Sequence, residues 1–235
     1  MIGRGGLDGD PPVMAPPHIS DDPGRPDHVL EGAPGAMLVI ISGPSGVGKD
    51  TIIDEMRRRE AAEGRQDARH YVVTVTTRAP RDGEVDGVDY HFVDRDEFIR
   101  MWRDRGFLEA NEVHGNYYGS PREQVRQALL AGKDVILKID VQGAQVVKEQ
   151  VSEAVLIFII PPSFETLLER LRARATETAD EFEVRQRDAA IELARQDDYD
   201  HIVVNETGQV GMTADRIEAI IAAERAEHAG RRVRV

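Results

Sequence analysis

Gly43, Gly48 and Lys49 stand in the pattern Gly-x4-Gly-Lys, written in full Gly43-Pro44-Ser45-Gly46-Val47-Gly48-Lys49. Glycines permit positive φ and close backbone approach, so successive N–H groups can turn inward and cradle a polyphosphate. Lys49 would bring a fixed positive charge to the β- and γ-phosphates. The plain alternative is a Gly-rich turn with one solvated lysine. The flanking sequence argues against it. Leu38 to Ile41 is an apolar, largely β-branched run that reads as a strand buried on both faces. Ile52, Ile53 and Met56 then form the apolar stripe of a helix whose positive dipole end points back at the loop. The position after the lysine, where Ser or Thr usually ligates Mg²⁺, is Asp50, and Thr51 comes one place later. A carboxylate is a hard oxygen ligand for Mg²⁺, yet it adds negative charge beside phosphates.

A phosphate loop names only a nucleotide polyphosphate, so a second set of residues must name the acceptor. Arg78 and Arg81 lie three apart at a strand end, and Tyr90 and Tyr118 stand near turns. Two guanidiniums and two phenols suit a phosphate monoester held by charge-assisted hydrogen bonds. Glu109 could accept two parallel N–H bonds, which guanine offers and adenine does not.

The elements that must position these groups follow from periodicity. A strand is expected over Tyr71 to Thr77, another over Val88 to Val93, and a helix opened by Asp94 with Glu97 as a capping box. Phe107 to Val113 is extended, and 115–119 reads as a tight connection. Ser120-Pro121-Arg122-Glu123 has the form of a helix start with Ser120 as N-cap. Core strands are expected at Val135 to Ile139, Val155 to Ile160 and His201 to Val204, the first ending at Asp140 and the last at Asn205. Helices follow from about 141, from Ser163, up to about Arg195, and over about 211–227. Strands alternating with helices predict an α/β fold, a doubly wound parallel sheet with right-handed crossovers. The strand-rich stretch of about 74–119 between two α/β units is the natural inserted small domain.

Composition sets the outer limits. The chain has 235 residues, 40% hydrophobic and 31% charged, enough for one α/β core with a small inserted element. No apolar run approaches the roughly 18–20 residues of a membrane span, and an apolar leader is not seen, so a cytoplasmic protein is expected. Zero cysteines exclude disulfides and thiolate chemistry. A net charge of −13 argues against nucleic acid as a partner of the whole surface, so an anionic substrate must meet a local cluster of cations. Residues 1–36 hold seven of the twelve prolines, a composition expected to leave an unstructured tail. Residues 229–235 read as a short basic tail.

The blocks Thr76-Thr77-Arg78-x-Pro80-Arg81, Gly83-Glu84, Gly87-x-Asp89-Tyr90-x-Phe92, Phe107-Leu108-Glu109, Gly115-Asn116-Tyr117-Tyr118-Gly119 and Ile139-Asp140-x-Gln142-Gly143 together resemble guanylate kinase, in the order and spacing of that family. The resemblance covers about 37–205. It implies a P-loop NTPase core with an inserted GMP-binding domain and a short arginine-rich lid at about 172–186, all within a domain of 37–228. It implies transfer of the γ-phosphoryl group of ATP to GMP, and to dGMP as a second acceptor, with Mg²⁺ and without nucleic-acid or membrane partners. Arg78, Arg81, Tyr90 and Tyr118 match residues that hold the GMP phosphate, and Thr74, Glu109, Ser120 and Asp140 match those around the guanine. Residues 43–51 match the ATP loop. Arg170, Arg174 and Arg185 match arginines that close on the ATP phosphates and the moving group, and Asn205 matches a residue beside adenine. Besides Asp50, one departure stands out: the family usually has Asp or Glu where this chain has Lys138. The two changes together suggest compensation, with Lys138 offsetting the charge that Asp50 adds.

Each residue has a plainer alternative. Ser120 can be a helix cap alone, and Glu109 an exposed strand residue. Asp140 can cap the following helix or stand in the metal shell. The arginines of 170–187 can be a solvated face paired with Glu169, Glu177 and Glu181. As a whole, the rival is a non-catalytic guanylate-kinase-like binding module. Retention of Lys49 and the lid arginines speaks against it.

Overall fold

A computed structural model describes residues 29–65, 67–113, 115–173 and 179–235 of the chain. The central strand is β1 (Leu38–Ser42), every residue of which is buried. Its alternating side chains serve two opposite faces. Leu38 and Ile40 pack into one apolar cluster with Val125, Leu129, Ala144 and Val147, whereas Val39 and Ile41 pack into another with Ile52, Met56, Leu167 and Ile217. A strand apolar from Leu38 through Ile41 is what a sheet covered on both sides requires.

Around β1 the core sheet runs in the order β2 (Arg69–Tyr71), β7 (Asp134–Lys138), β1, β8 (Val155–Ile160), β9 (His201–Val204), with every pairing parallel. Helices α3 (Arg122–Leu130) and α4 (Val141–Gln150) supply the first cluster. Helices α1 (Lys49–Ala62), α5 (Phe164–Ala173), α6 (Ala179–Leu193) and α7 (Val210–Glu227) supply the second. The doubly wound parallel sheet expected from the sequence is therefore present.

A second, four-stranded sheet has the order β4 (His91–Phe92), β3 (Val75–Thr76), β6 (Asn116–Pro121), β5 (Phe107–Val113). Its small core joins Val75, Phe107 and Tyr117 to Phe98 of α2 (Arg95–Arg103). Phe98 stacks on Phe107 at 4.6 Å and on Tyr117 at 5.4 Å between ring centroids. Asp94 caps α2 by accepting from the Glu97 amide at 2.8 Å, as its sequence predicts.

Four local expectations change, the first being that the strand expected over Val88 to Val93 is only β4, with 88–89 in a turn. The single strand expected over Tyr71 to Thr77 is two, because the chain leaves the core sheet after Tyr71 and enters the second sheet at Val75. The same apolar alternation serves both sheets, so periodicity does not mark the crossing. Residues 116–119, expected as a tight connection, lie in β6 and pair with β5. Ser120 is not a helix cap: it lies in β6, Pro121 precedes α3, and that helix start has no side-chain cap.

The chain ends also depart from composition. Residues 1–28 of the expected tail lie outside the described residues. Leu30, however, exchanges both backbone hydrogen bonds with Val235 at 3.1 and 3.0 Å, and Gly32 donates to the Val233 carbonyl at 2.8 Å. Val233 and Val235 enter the cluster beneath α3 and α4. Their alternation with Arg232 and Arg234 is a strand signal too short to outweigh the surrounding polar composition.

Candidate active site

The loop between β1 and α1 starts as the spacing predicts. Gly48, with φ of 103°, sits at the N-terminus of α1 in the left-handed region. A Cβ there would also stand 2.7 Å from Nδ2 of Asn205, so glycine is required on two counts. Asn205 fastens the loop: its Nδ2 donates to the Val47 carbonyl at 2.8 Å, and its Oδ1 accepts from Thr213 at 3.0 Å. Lys49 folds back and donates to the carbonyls of Gly43 and Pro44. Burial lowers the pKa of its ammonium, and the carboxylates of Glu192, Asp50 and Asp140 oppose that shift. Thr51 follows Asp50 in the first turn of α1 and is exposed.

The loop carries a partner that sequence reasoning missed. Glu192 of α6 accepts from the Ser45 amide at 3.1 Å, 147 residues away in sequence. A carboxylate thus rests on an inward-pointing loop amide, the kind of donor that would hold a phosphate oxygen. Nothing local in the sequence around Glu192 marks it. Arg185, also on α6, donates to the Ser45 hydroxyl at 3.2 Å. Arg170 of α5 spans two segments, donating to the Val47 carbonyl at 3.1 Å, the Asn205 carbonyl at 3.0 Å and Thr207 at 2.9 Å. Arg170 and Arg185 are therefore braced against the loop rather than spread on a solvated face. Arg174 and Glu177 lie outside the described residues.

On the second sheet, Arg78 donates to Glu84 at 2.8 Å, and the other oxygen of Glu84 accepts from the Arg81 amide at 2.7 Å. The Arg78 guanidinium lies 5.4 Å from the Tyr90 ring centroid, and Tyr90 meets Tyr118 edge-on at 6.1 Å. The four residues picked out for a phosphate monoester are thus neighbours. A cleft of about 220 Å³ is lined by Asp50 and Ile53 of α1, by Ile136 and Lys138 of β7, and by Thr74, Arg81 and Tyr90; Arg78, Tyr118, Glu109, Ser120 and Asp140 are not among its lining residues.

Glu109 lies at the inner end of β5, only 4% exposed, so it is not a solvent-facing strand residue. Ser120 donates its hydroxyl to the Glu109 carboxylate, the role that replaces helix capping. Burial, with the nearby Asp140 charge, pushes the Glu109 carboxyl up to about 8, against the lowering by Ser120. Asp140 caps α4 by accepting from the Gly143 amide at 2.8 Å. Lys138, at the end of β7, forms an ion pair with Asp50. The two unusual positions of the sequence are direct partners.

The family model for guanylate kinase matches residues 35–224, which is most of the chain. The chain belongs to the guanylate kinase family. It is 47% identical over 189 residues to a guanylate kinase of Bacillus cereus, covering 80% of this chain and 88% of that one. Against the guanylate kinase of Bacillus subtilis it is 45% identical, covering 80% and 89%. A rice protein, guanylate kinase 2, chloroplastic/mitochondrial, is 43% identical over 84% of this chain and 68% of its own length. The fold is similar to the crystal structure of guanylate kinase from Anaplasma phagocytophilum, with a TM-score of 0.65 and 35% identity over 83% of this chain and 89% of that one. As a member of this family the enzyme is an ATP:GMP phosphotransferase, a nucleoside monophosphate kinase. Among the described residues no helix is long and apolar enough to cross a membrane.

Proposed function

We propose that this enzyme binds ATP on the loop of residues 43–51 and GMP in the cleft between that loop and the second sheet. The observation that carries this assignment is the shared cleft. It is lined both by the helix after the phosphate loop and by Arg81 and Tyr90 of the connection between β3 and β4. In-line transfer between two bound nucleotides needs that arrangement.

Lys49 binds the β- and γ-phosphates after releasing its two loop carbonyls. Arg78, Arg81, Tyr90 and Tyr118 hold the acceptor phosphate, with Arg78 leaving Glu84 for it. Glu109, as a carboxylate, accepts two N–H groups of guanine, and Thr74, Ser120 and Asp140 complete that edge of the site. Arg170, Arg174 and Arg185 gather the donor phosphates and neutralise the moving group, and Asn205 lies toward the adenine. No dedicated base is needed, because the attacking phosphate oxygen is already largely ionised at neutral pH. The inserted part at about 74–119 and the lid at about 172–186 close over the nucleotides and exclude water, which would otherwise take the phosphoryl group.

Among the described residues, no three His, Asp or Glu side chains gather into a metal site. Mg²⁺ needs only one or two carboxylates where nucleotide phosphates and water supply its other oxygens. Asp50 and Asp140 would be those donors, and the ion when bound would neutralise phosphate charge. We assign the enzyme to the cytoplasm, with ATP and GMP or dGMP as its substrates.

ADP release from ATP and Mg²⁺ in the presence of GMP, AMP, UMP or no acceptor tests the assignment. Turnover with GMP and not with AMP or UMP is expected. GMP binding without any turnover would favour a non-catalytic binding module instead.

A further inference from the structure

Lys138 and Asp50 form an ion pair between the end of β7 and the first turn of α1, 88 residues apart in sequence. Both side chains line the cleft assigned to GMP. The Lys138 ammonium also lies 5.3 Å from the Tyr90 ring centroid, and the Arg78 guanidinium lies 5.4 Å from the same ring. A cation at the end of β7 and one in the bend after β3 thus converge on one phenol, and Arg81 lines the same cleft.

The two halves of the ion pair differ in exposure. The Lys138 side chain is 25% exposed, and that of Asp50 is 59% exposed. An ion pair with so exposed a carboxylate contributes little free energy. A phosphate monoester carries between −1.5 and −2 charges near neutrality and presents three acceptor oxygens. In competition for one ammonium, the phosphate outweighs the single exposed carboxylate. Asp54 and Arg57 of α1 line the same cleft with opposite charges, so Lys138 and Arg81 are the cations there that α1 does not supply.

We propose that Lys138 is a further ligand of the acceptor nucleotide's phosphate, and that Asp50 holds its ammonium at the cleft only while the acceptor is absent. The inference rests on the assignment of GMP to this cleft. When the phosphate enters, Lys138 passes from Asp50 to the phosphate and joins Arg78 and Arg81 at the acceptor. The same transfer breaks the Asp50–Lys138 pair at the phosphate loop. A mere clasp between α1 and β7 would keep its pair throughout.

Calorimetric titration with GMP and with guanosine, without ATP or metal, separates these cases for the wild type, Lys138→Met, Asp50→Ser and the double variant. Lys138→Met is expected to weaken GMP about tenfold, the order of one charge-assisted hydrogen bond, and to leave guanosine unchanged. Asp50→Ser is expected to bind GMP as tightly as the wild type or more tightly, and the double variant to follow Lys138→Met. Equal losses in Lys138→Met and Asp50→Ser, or no loss in Lys138→Met, overturn the proposal. Wild type that binds neither ligand overturns the GMP assignment itself, a different outcome. Nitrogen NMR of the Lys138 ammonium in the unaltered enzyme gives a readout independent of variant folding. The resonance should move on adding GMP and stay in place on adding guanosine; no movement with GMP overturns the proposal.

Discussion

Gly143 lies directly against Glu109: a Cβ on Gly143 would stand 2.7 Å from Oε2 of the carboxylate. Gly143 is in the first turn of α4, and its amide donates to Asp140. The buried glutamate therefore has its position defined by a missing side chain on one side and by the Ser120 hydroxyl on another.

Gly143→Ala should accordingly move the Glu109 carboxylate rather than unfold the protein, since alanine favours the helix. A displacement of this kind at an oriented hydrogen-bonding group costs on the order of 10–100-fold. Steady-state kinetics should show that loss in KM for GMP, with KM for ATP little changed. Equal damage to both constants would mean that the glycine serves the phosphate loop instead.

The pH behaviour of Glu109 has a definite sign. Its folded pKa of about 8 is raised above the value of 4.5 for an unperturbed carboxyl. The stability it contributes is fully present below about pH 4.5 and is lost as pH rises through about 8. Thermal unfolding of the ligand-free enzyme should therefore retain a falling component over that window, and Glu109→Gln should flatten it. Guanine recognition in the proposed site needs the carboxylate, so GMP binding at pH 7 should release a proton. Calorimetry in buffers of different ionisation enthalpy measures that release, and Glu109→Gln should remove this share of it.

Arg69 anchors β2 to two helices. It makes paired bonds of 2.6 Å each to Glu218 of α7 and one of 2.9 Å to Glu60 of α1, whose other partner is the Tyr71 hydroxyl. The Arg69 and Glu60 side chains are only 8% and 3% exposed. Removing the cation leaves buried carboxylate charge uncompensated, at a cost of about 3–5 kcal/mol. Arg69→Met should lower Tm by roughly 10 °C while GMP affinity of the folded protein persists. A melting curve superimposable on the wild type would refute the role of this cluster.

Val233 tests whether the carboxyl-terminal segment belongs to the core. It is 1% exposed and packs with Leu129 and Val135. Val233→Asp would bury a carboxylate among apolar side chains and should destabilise by more than about 3 kcal/mol in urea titrations. Neutral behaviour would return the segment to the status of a tail.

The sequence by itself determined the phosphate loop, the parallel core and the group of Arg78, Arg81, Tyr90 and Tyr118. Those features are written in local spacing: glycines where the backbone must turn, and apolar runs where a strand is covered on both faces. Glu109 was also legible, although its burial was not. Tertiary structure alone decided the partners. Periodicity could not show that 71–77 divides between two sheets, because the alternation suits either one. It could not turn Ser120 from a cap into the donor to Glu109, seat Glu192 on the Ser45 amide, or join residues 30–35 to 231–235. The Asp50–Lys138 pair lies between these limits. Two departures in charge could be read from the chain, and a compensation inferred, but contact across 88 residues of sequence is a property of β1 and β7 lying side by side. Side-chain chemistry is local, whereas its partners are set by which strand ends the sheet brings together.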